Sequence, residues 1–331
     1  MKYSVFPGCS LEKNAAGYSY WLSLEQVIKP LGIELVEVED WNCCGATEYL
    51  SLNRTAAYAL IARTLALAAK NDGLREMIAP CSLCCLNLSK ADKYLTEDPA
   101  LAEKVNVALG AGGLHYKPGT IMTRHLLDVL VNDVGCKTIA SKVTKPLKGL
   151  RIAPYYGCLF SRPPIHAPVD SPEYPTSLDE IMRALGAEVV DYPMKAHCCG
   201  GHMTQISEAS AFAMISRLIK GAADYKADMI VTVCPMCQLN LDGFQGAMNR
   251  YYKTSYHVPV LYFTQMMGLA FGADAKSLGI GAEIVDARPA LSRIGVEVPP
   301  PAEEGKPARK PRRPKEALPL PTMSGREEVE Q

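Results

Sequence analysis

The cysteines of this chain form a pattern that occurs twice, and no other feature of the sequence restricts the fold so strongly. In order they are Cys9, Cys43, Cys44, Cys81, Cys84, Cys85, Cys136, Cys158, Cys198, Cys199, Cys234 and Cys237. Cys158 stands 149 residues after Cys9, Cys198 and Cys199 stand 155 after Cys43 and Cys44, and Cys234 and Cys237 stand 153 after Cys81 and Cys84. Each half therefore runs Gly-Cys, then Cys-Cys-Gly, then Cys-x-x-Cys, with glycines at Gly8 and Gly157 and at Gly45 and Gly200. Nearly constant offsets are what a duplicated domain with small loop insertions leaves behind. The 331 residues have room for two such units, at about 100 to 200 residues per domain.

Periodicity gives the same division. Strands are expected at Lys2 to Phe6, Ile33 to Val38 and Met77 to Ala79, with helices at Tyr18 to Ile28 and Arg54 to Ala69 between them. The second half repeats the order, with strands at Leu150 to Tyr155, Glu188 to Tyr192 and Met229 to Val233 and helices at Leu178 to Leu185 and Glu208 to Ala223. Alternating strands and helices imply an α/β fold of two domains, each a small, mostly parallel sheet with flanking helices, over residues 1–145 and 146–298. The cysteines fall just after expected strands. The carboxyl ends of parallel strands are where sites form, so the three cysteine segments of each half should converge.

Residues 299–331 differ from the rest, with eight prolines, seven basic and six acidic side chains in 33 positions, and are expected to form a disordered tail. Thirty-five basic residues against thirty-five acidic make nucleic acid and anionic membrane surfaces poor partners. No apolar run approaches the ~20 residues of a spanning helix, and the first residues lack a signal-peptide core, so no direct membrane insertion and a cytoplasmic location are expected. Twelve cysteines in such a compartment point to metal or redox chemistry rather than to disulfides.

Zinc asks for four ligands in a tetrahedron and is the plain alternative for any Cys-x-x-Cys, as is a dithiol redox pair. Here each half offers five thiols. Adjacent cysteines such as Cys43 and Cys44, or Cys198 and Cys199, clasp one small ion poorly but suit different metal atoms of an extended iron–sulfur cluster. The spacers are long, 33 and 36 residues in the first half and 39 and 34 in the second, so the site is assembled by the fold and not by a contiguous ferredoxin motif. Glycines beside the thiols let backbone N–H groups approach sulfur closely.

The complete double motif, Cys9, Cys43-Cys44-Gly45, Cys81-Ser82-Leu83-Cys84 and again Cys158, Cys198-Cys199-Gly200, Cys234-Pro235-Met236-Cys237, resembles the duplicated cysteine-rich (CCG) domain of the heterodisulfide reductase B subunit, over about residues 1–270. The resemblance implies two pseudo-twofold-related CCG domains and two noncubane 4Fe-4S clusters, one per domain, each on five cysteines and facing one another across that axis, with a disulfide cleaved or formed between them. It also implies a ferredoxin-like iron–sulfur subunit (C type) and a flavoprotein subunit (A type) as partners, because the chain carries no cubane-ferredoxin motif of its own. The substrate would be the coenzyme M/coenzyme B heterodisulfide in methanogens, or another thiol or disulfide in sulfur-oxidising bacteria. Similar CCG proteins of glycolate, lactate and glycerol-3-phosphate dehydrogenase complexes are electron-transfer subunits, which is the alternative.

Other residues stand close to the motif. His197 and His202 bracket the second Cys-Cys-Gly and are the candidates for donating protons or hydrogen bonds to sulfur. Asn42 and Ala46 occupy the corresponding region of the first half, so the two sites should have unequal surroundings. Cys85 has no counterpart, Gln238 taking its place, and reads as a spare thiol, while Cys136 reads as structural. Lys195, Arg162 and Arg54 are candidate anion contacts whose ordinary fate is solvation, and Tyr155, Tyr156, Tyr251 and Tyr252 read as packing residues.

Overall fold

The computed structural model describes residues 1–46, 49–71, 73–162, 165 and 170–298, and the expected tail from 299 onward lies outside them. Three strands of the first half, β1 (Lys2–Val5), β2 (Glu34–Glu37) and β3 (Glu76–Ala79), form where β-rich segments are expected, joined by β4 (Met122–His125). Their order is β2-β1-β3-β4. The second half gives β5 (Arg151–Tyr155), β6 (Glu188–Val189), β7 (Met229–Thr232) and β8 (Val260–Tyr262), in the order β6-β5-β7-β8. Every pairing is parallel, as the intervening helices require. The molecule is therefore an α/β protein of two matching four-stranded sheets.

Periodicity alone located the helices Tyr18–Ile28, Arg54–Ala68, Ser177–Ala184 and Glu208–Asp224 to within a residue or two. It missed β4 and β8. β4 is Met-Thr-Arg-His, with polar Thr123 and His125 at its buried positions, and β8 is an unbroken apolar Val-Leu-Tyr that runs straight into a helix, so neither shows an apolar alternation. β6 is shorter than expected. Pro193 follows closely, and Tyr192 turns back so that its N–H bonds the carbonyl of Val190.

The two halves share their interior. Helix Tyr18–Ile28 of the first packs on helix Phe263–Ala270 near the end of the second, with a buried hydroxyl pair between Ser23 and Thr264 at 2.6 Å and Tyr20 stacked on Tyr262 at 4.6 Å. One continuous core runs from Leu24 and Val27 through Leu126 and Leu130 to Met266 and Leu291. The described residues accordingly form a single compact body. No helix among the described residues is long and apolar enough to cross a membrane.

Candidate metal centre

The strand order carries the cysteines to one end of each sheet. Cys9 follows β1, Cys43 and Cys44 follow β2, and Cys81 and Cys84 follow β3; Cys158, Cys198, Cys199, Cys234 and Cys237 stand in the same relation to β5, β6 and β7. Cys81 and Cys234 are the residues immediately before the helices Ser82–Glu97 and Pro235–Gly243. Both cysteine pairs therefore sit at helix N-termini, where unpaired N–H groups favour negative charge.

In the first half Cys9 contacts Cys43, Cys43 contacts Cys44, Cys44 lies 3.2 Å from Cys84, and Cys84 contacts Cys81. In the second, Cys158 contacts Cys198, Cys198 contacts Cys199, Cys199 contacts Cys237 and Cys237 contacts Cys234. The two series meet, because Cys81 and Cys234 touch across the boundary between the halves. Ten thiols thus form one uninterrupted, pseudo-symmetric series with the most buried sulfurs at its centre and Cys9 and Cys43 at an exposed end. Cys85 and Cys136 lie outside it. Cys85 is half-buried beside Cys84 with its thiol pushed up to about 12 by burial, and Cys136 begins a short helix against the core.

Charge is distributed alike in both halves. The hydrogen bonds from Cys44 and Cys9, with the N–H groups of Gly45 and Ala46, hold the Cys43 thiol down at about 2. Cys198 is held at about 2 by Cys158 and Cys199, with help from the N–H of Gly200 and the charge of Arg162. Their neighbours Cys44 and Cys199 are pushed up, to about 12 and about 11, by those same sulfurs. The Cys-Cys-Gly turn is in each case a pocket for anionic sulfur, built from backbone N–H groups that the positive-φ glycines Gly45 (+65°) and Gly200 (+102°) turn inward.

Glycines at two further positions close the site. A Cβ on Gly157 would lie 2.9 Å from the sulfur of Cys237, and one on Gly8 would lie 3.1 Å from that of Cys84. Five thiols, inward N–H groups and a backbone drawn against sulfur together fit a thiolate-held iron–sulfur centre. Among the described residues no trio of His, Cys, Asp and Glu side chains has the arrangement of a single-ion site.

Sequence reasoning overlooked a pair of asparagines. Asn87 Nδ2 donates to the carbonyl of Cys44 at 3.2 Å, and Asn240 Nδ2 donates to that of Gly201 at 2.8 Å and approaches the sulfur of Cys199 at 3.4 Å. They stand 153 residues apart, the offset of the Cys-x-x-Cys pairs, and the motif in fact continues in both halves as Leu-Asn-Leu. A search for repeated residues of every type, not cysteine alone, would have found them.

A cavity of about 210 Å³ opens beside the second series. Its walls include Cys158, Cys198, Cys199, Cys234, Cys237, Tyr156, Leu159, Met236 and His202, together with Ala46, Ser82 and Leu83 from the first half. His202 faces this space, whereas His197 does not line it. The Nδ1 of His197 is enclosed without a partner, and burial followed by Arg217 and Arg162 pulls that ring's pKa down. Arg162 remains near Cys198, but Arg54 is paired to Asp98 at 3.7 Å and lies over Tyr58.

Lys195 departs most from expectation. It is only 1% exposed, with its ammonium 2.9 Å from Asp179 and 3.8 Å from the centre of the Tyr174 ring. Asp179 also accepts from the hydroxyl of Tyr156 at 2.5 Å, and the Lys195 carbonyl accepts the N–H groups of Tyr156 and Gly157. The residue braces the Cys158 loop from below and is no solvated cation. Tyr155, donating to the His197 carbonyl at 2.7 Å, and Tyr156 are buried packing residues, whereas Tyr251 and Tyr252 are exposed.

The model of one family, the Cysteine-rich domain (CCG), matches residues 3–89 and 152–242, which contain all ten cysteines of the series. This chain belongs to that family. It is 37% identical over 286 residues to the 8-methylmenaquinol:fumarate reductase membrane anchor subunit of Wolinella succinogenes, covering 86% of this chain and 98% of that one. It is 30% identical over 296 residues to the B subunit of a CoB-CoM heterodisulfide reductase of Methanosarcina acetivorans, named as ferredoxin/F420H2-dependent, covering 88% and 97%. A solved Helicobacter pylori structure titled a hypothetical protein superposes with a TM-score of 0.69 at 15% identity, covering 86% of this chain and 52% of that chain. That similarity is one of fold alone. The CCG chain spans about half the length of that neighbour and nearly the whole of its two sequence relatives.

Proposed function

We propose that this CCG protein is the subunit of a cytoplasmic oxidoreductase complex in which a sulfur–sulfur bond is cleaved or formed. One noncubane 4Fe-4S cluster would be held by Cys9, Cys43, Cys44, Cys81 and Cys84, and a second by Cys158, Cys198, Cys199, Cys234 and Cys237. When bound, such clusters supply electrons singly at sulfur. The observation that supports the reading is the contact of Cys81 with Cys234, through which the two proposed ligand sets would adjoin. A disulfide has two sulfurs to be captured. Two adjoining redox sites suit it where a simple relay would need one.

The chain's own residues supply the rest. Leu83, Leu159, Met236 and the ring of Tyr156 give the cavity apolar walls that keep water from the sulfurs. His202, which lines it, would hand a proton to a departing thiolate. Twelve free cysteines suit a reducing compartment. A ferredoxin-like iron–sulfur subunit and a flavoprotein subunit would complete the complex, and the relatives named as B subunits of a heterodisulfide reductase are themselves members of a larger assembly.

A second reading has its own support. The 37% identity to one component of an 8-methylmenaquinol:fumarate reductase favours a role in passing electrons between partners, with no substrate in the cavity. Two variants separate the readings. Cys43→Ser should halve the iron and abolish disulfide turnover with an artificial donor, and Leu159→Trp, which fills the cavity, should abolish turnover while leaving iron content unchanged. Turnover near the wild-type rate in Cys43→Ser would sink the two-site reading. Wild-type protein that passes electrons fully to the complex's other acceptors but turns over no disulfide, with Leu159→Trp behaving as the wild type does, would establish the relay.

A further inference from the structure

The cavity of the second half has a wall that its own half does not supply. Ser82 of the first half, only 2% exposed, opens the helix Ser82–Glu97 and lines that space, while its counterpart in the second half is Pro235, which carries no hydroxyl. The Oγ of Ser82 lies 3.3 Å from Nε2 of the buried His125, at the end of β4.

The direction of this hydrogen bond is decided on the far side of the ring. The backbone N–H of Leu127 donates to His125 Nδ1 at 3.1 Å, and a backbone N–H has no other role than donor. Nδ1 is therefore bare, and the single ring proton sits on Nε2. Toward Nε2 the Ser82 oxygen can therefore only accept, and the carbonyls of Val233 and Pro80 also face the same ring. The hydroxyl's own proton is left for another acceptor, and the cavity that Ser82 lines is walled by Cys158, Cys198, Cys199, Cys234 and Cys237, so the sulfur of a centre held there would be the acceptor it meets. His125 is itself locked, edge-on to Phe160 at 5.0 Å, so the arrangement does not swing.

We propose that Ser82 donates a hydrogen bond to sulfur of the second-half centre, with His125 as the positioning residue that aims it, and that this bond makes the second centre easier to reduce. The inference rests on the reading of the second half as an iron–sulfur site. A donor aimed at sulfur stabilises the extra negative charge of the reduced form, and hydrogen bonds to sulfur are among the determinants of cluster potential. The two halves, though built alike, would then differ in potential because only one receives a hydroxyl across the boundary.

The test is a redox titration of the as-purified complex, followed by electron paramagnetic resonance, on the wild type, Ser82→Ala, Ser82→Thr and His125→Leu, with iron and acid-labile sulfide measured on each. Ser82→Ala should keep its iron and make one of the two centres roughly tenfold harder to reduce, a fall of about 59 mV for one electron, with the other unmoved. Ser82→Thr, which keeps the hydroxyl, should match the wild type, and His125→Leu should shift the same centre in the same direction. Unchanged potentials in Ser82→Ala, an equal shift of both centres, or loss of its iron would each overturn the inference. Wild-type protein lacking iron and sulfide would instead overturn the underlying reading of the site.

Discussion

Replacing Lys195 by methionine isolates the energetic cost of the buried pair beneath the Cys158 loop. Asp179 is 3% exposed, and without the ammonium its carboxylate keeps only the hydroxyl of Tyr156 at 2.5 Å and, at 4.0 Å, the largely exposed guanidinium of Arg183. Removing one partner of a buried ion pair costs about 3–5 kcal/mol, because the other is left charged in a poor solvent. Anaerobic urea unfolding followed by far-ultraviolet circular dichroism should show the midpoint of Lys195→Met falling by roughly 1–2 M at pH 7, taking a slope of about 2–3 kcal/mol/M. Lys195→Met combined with Asp179→Asn should recover most of the loss. A loss below about 1 kcal/mol, or a double variant no more stable than Lys195→Met alone, would refute the picture of a desolvated carboxylate that needs its lysine.

Three further outcomes follow from the site. Asn240→Ala should lower stability by about 1–3 kcal/mol through the unpaired carbonyl of Gly201, and anaerobic iron analysis should find the iron of the second half preferentially lost, with Asn87→Ala acting likewise on the first. Gly157→Ala places a Cβ 2.9 Å from the Cys237 sulfur at a φ of +70°, so purified protein should carry about half the iron and melt lower, whereas alanine at Gly32, where nothing lies within 4 Å, should cost only the strain of its φ of +68° and leave iron untouched. Cys199→Ser should remove the spectroscopic signature of the second centre and leave that of the first; unchanged spectra with full iron would show that Cys199 is not a ligand.

Much of this molecule was legible in its sequence because the relevant information is local. The cysteine offsets of 149, 155 and 153 disclosed the duplication, and the alternation of apolar residues located six of the eight strands and the main helices, since a strand or an amphipathic helix writes its own period into the chain. Tertiary structure alone decided what each side chain meets. Lys195 looks in sequence like any surface lysine, and only the packing of helix Ser177–Ala184 beneath the Cys158 loop brings Asp179 to it and closes both from water. His125 sits on a strand whose buried positions are polar and so write no apolar period, and its meeting with Ser82, 43 residues away, depends on the parallel pairing of β4 with β3. Likewise no spacing along the chain reveals that Cys81 and Cys234 touch. That contact exists because helices Tyr18–Ile28 and Phe263–Ala270 join the halves through a shared core, and burial is a property of two surfaces brought together, not of either segment read alone.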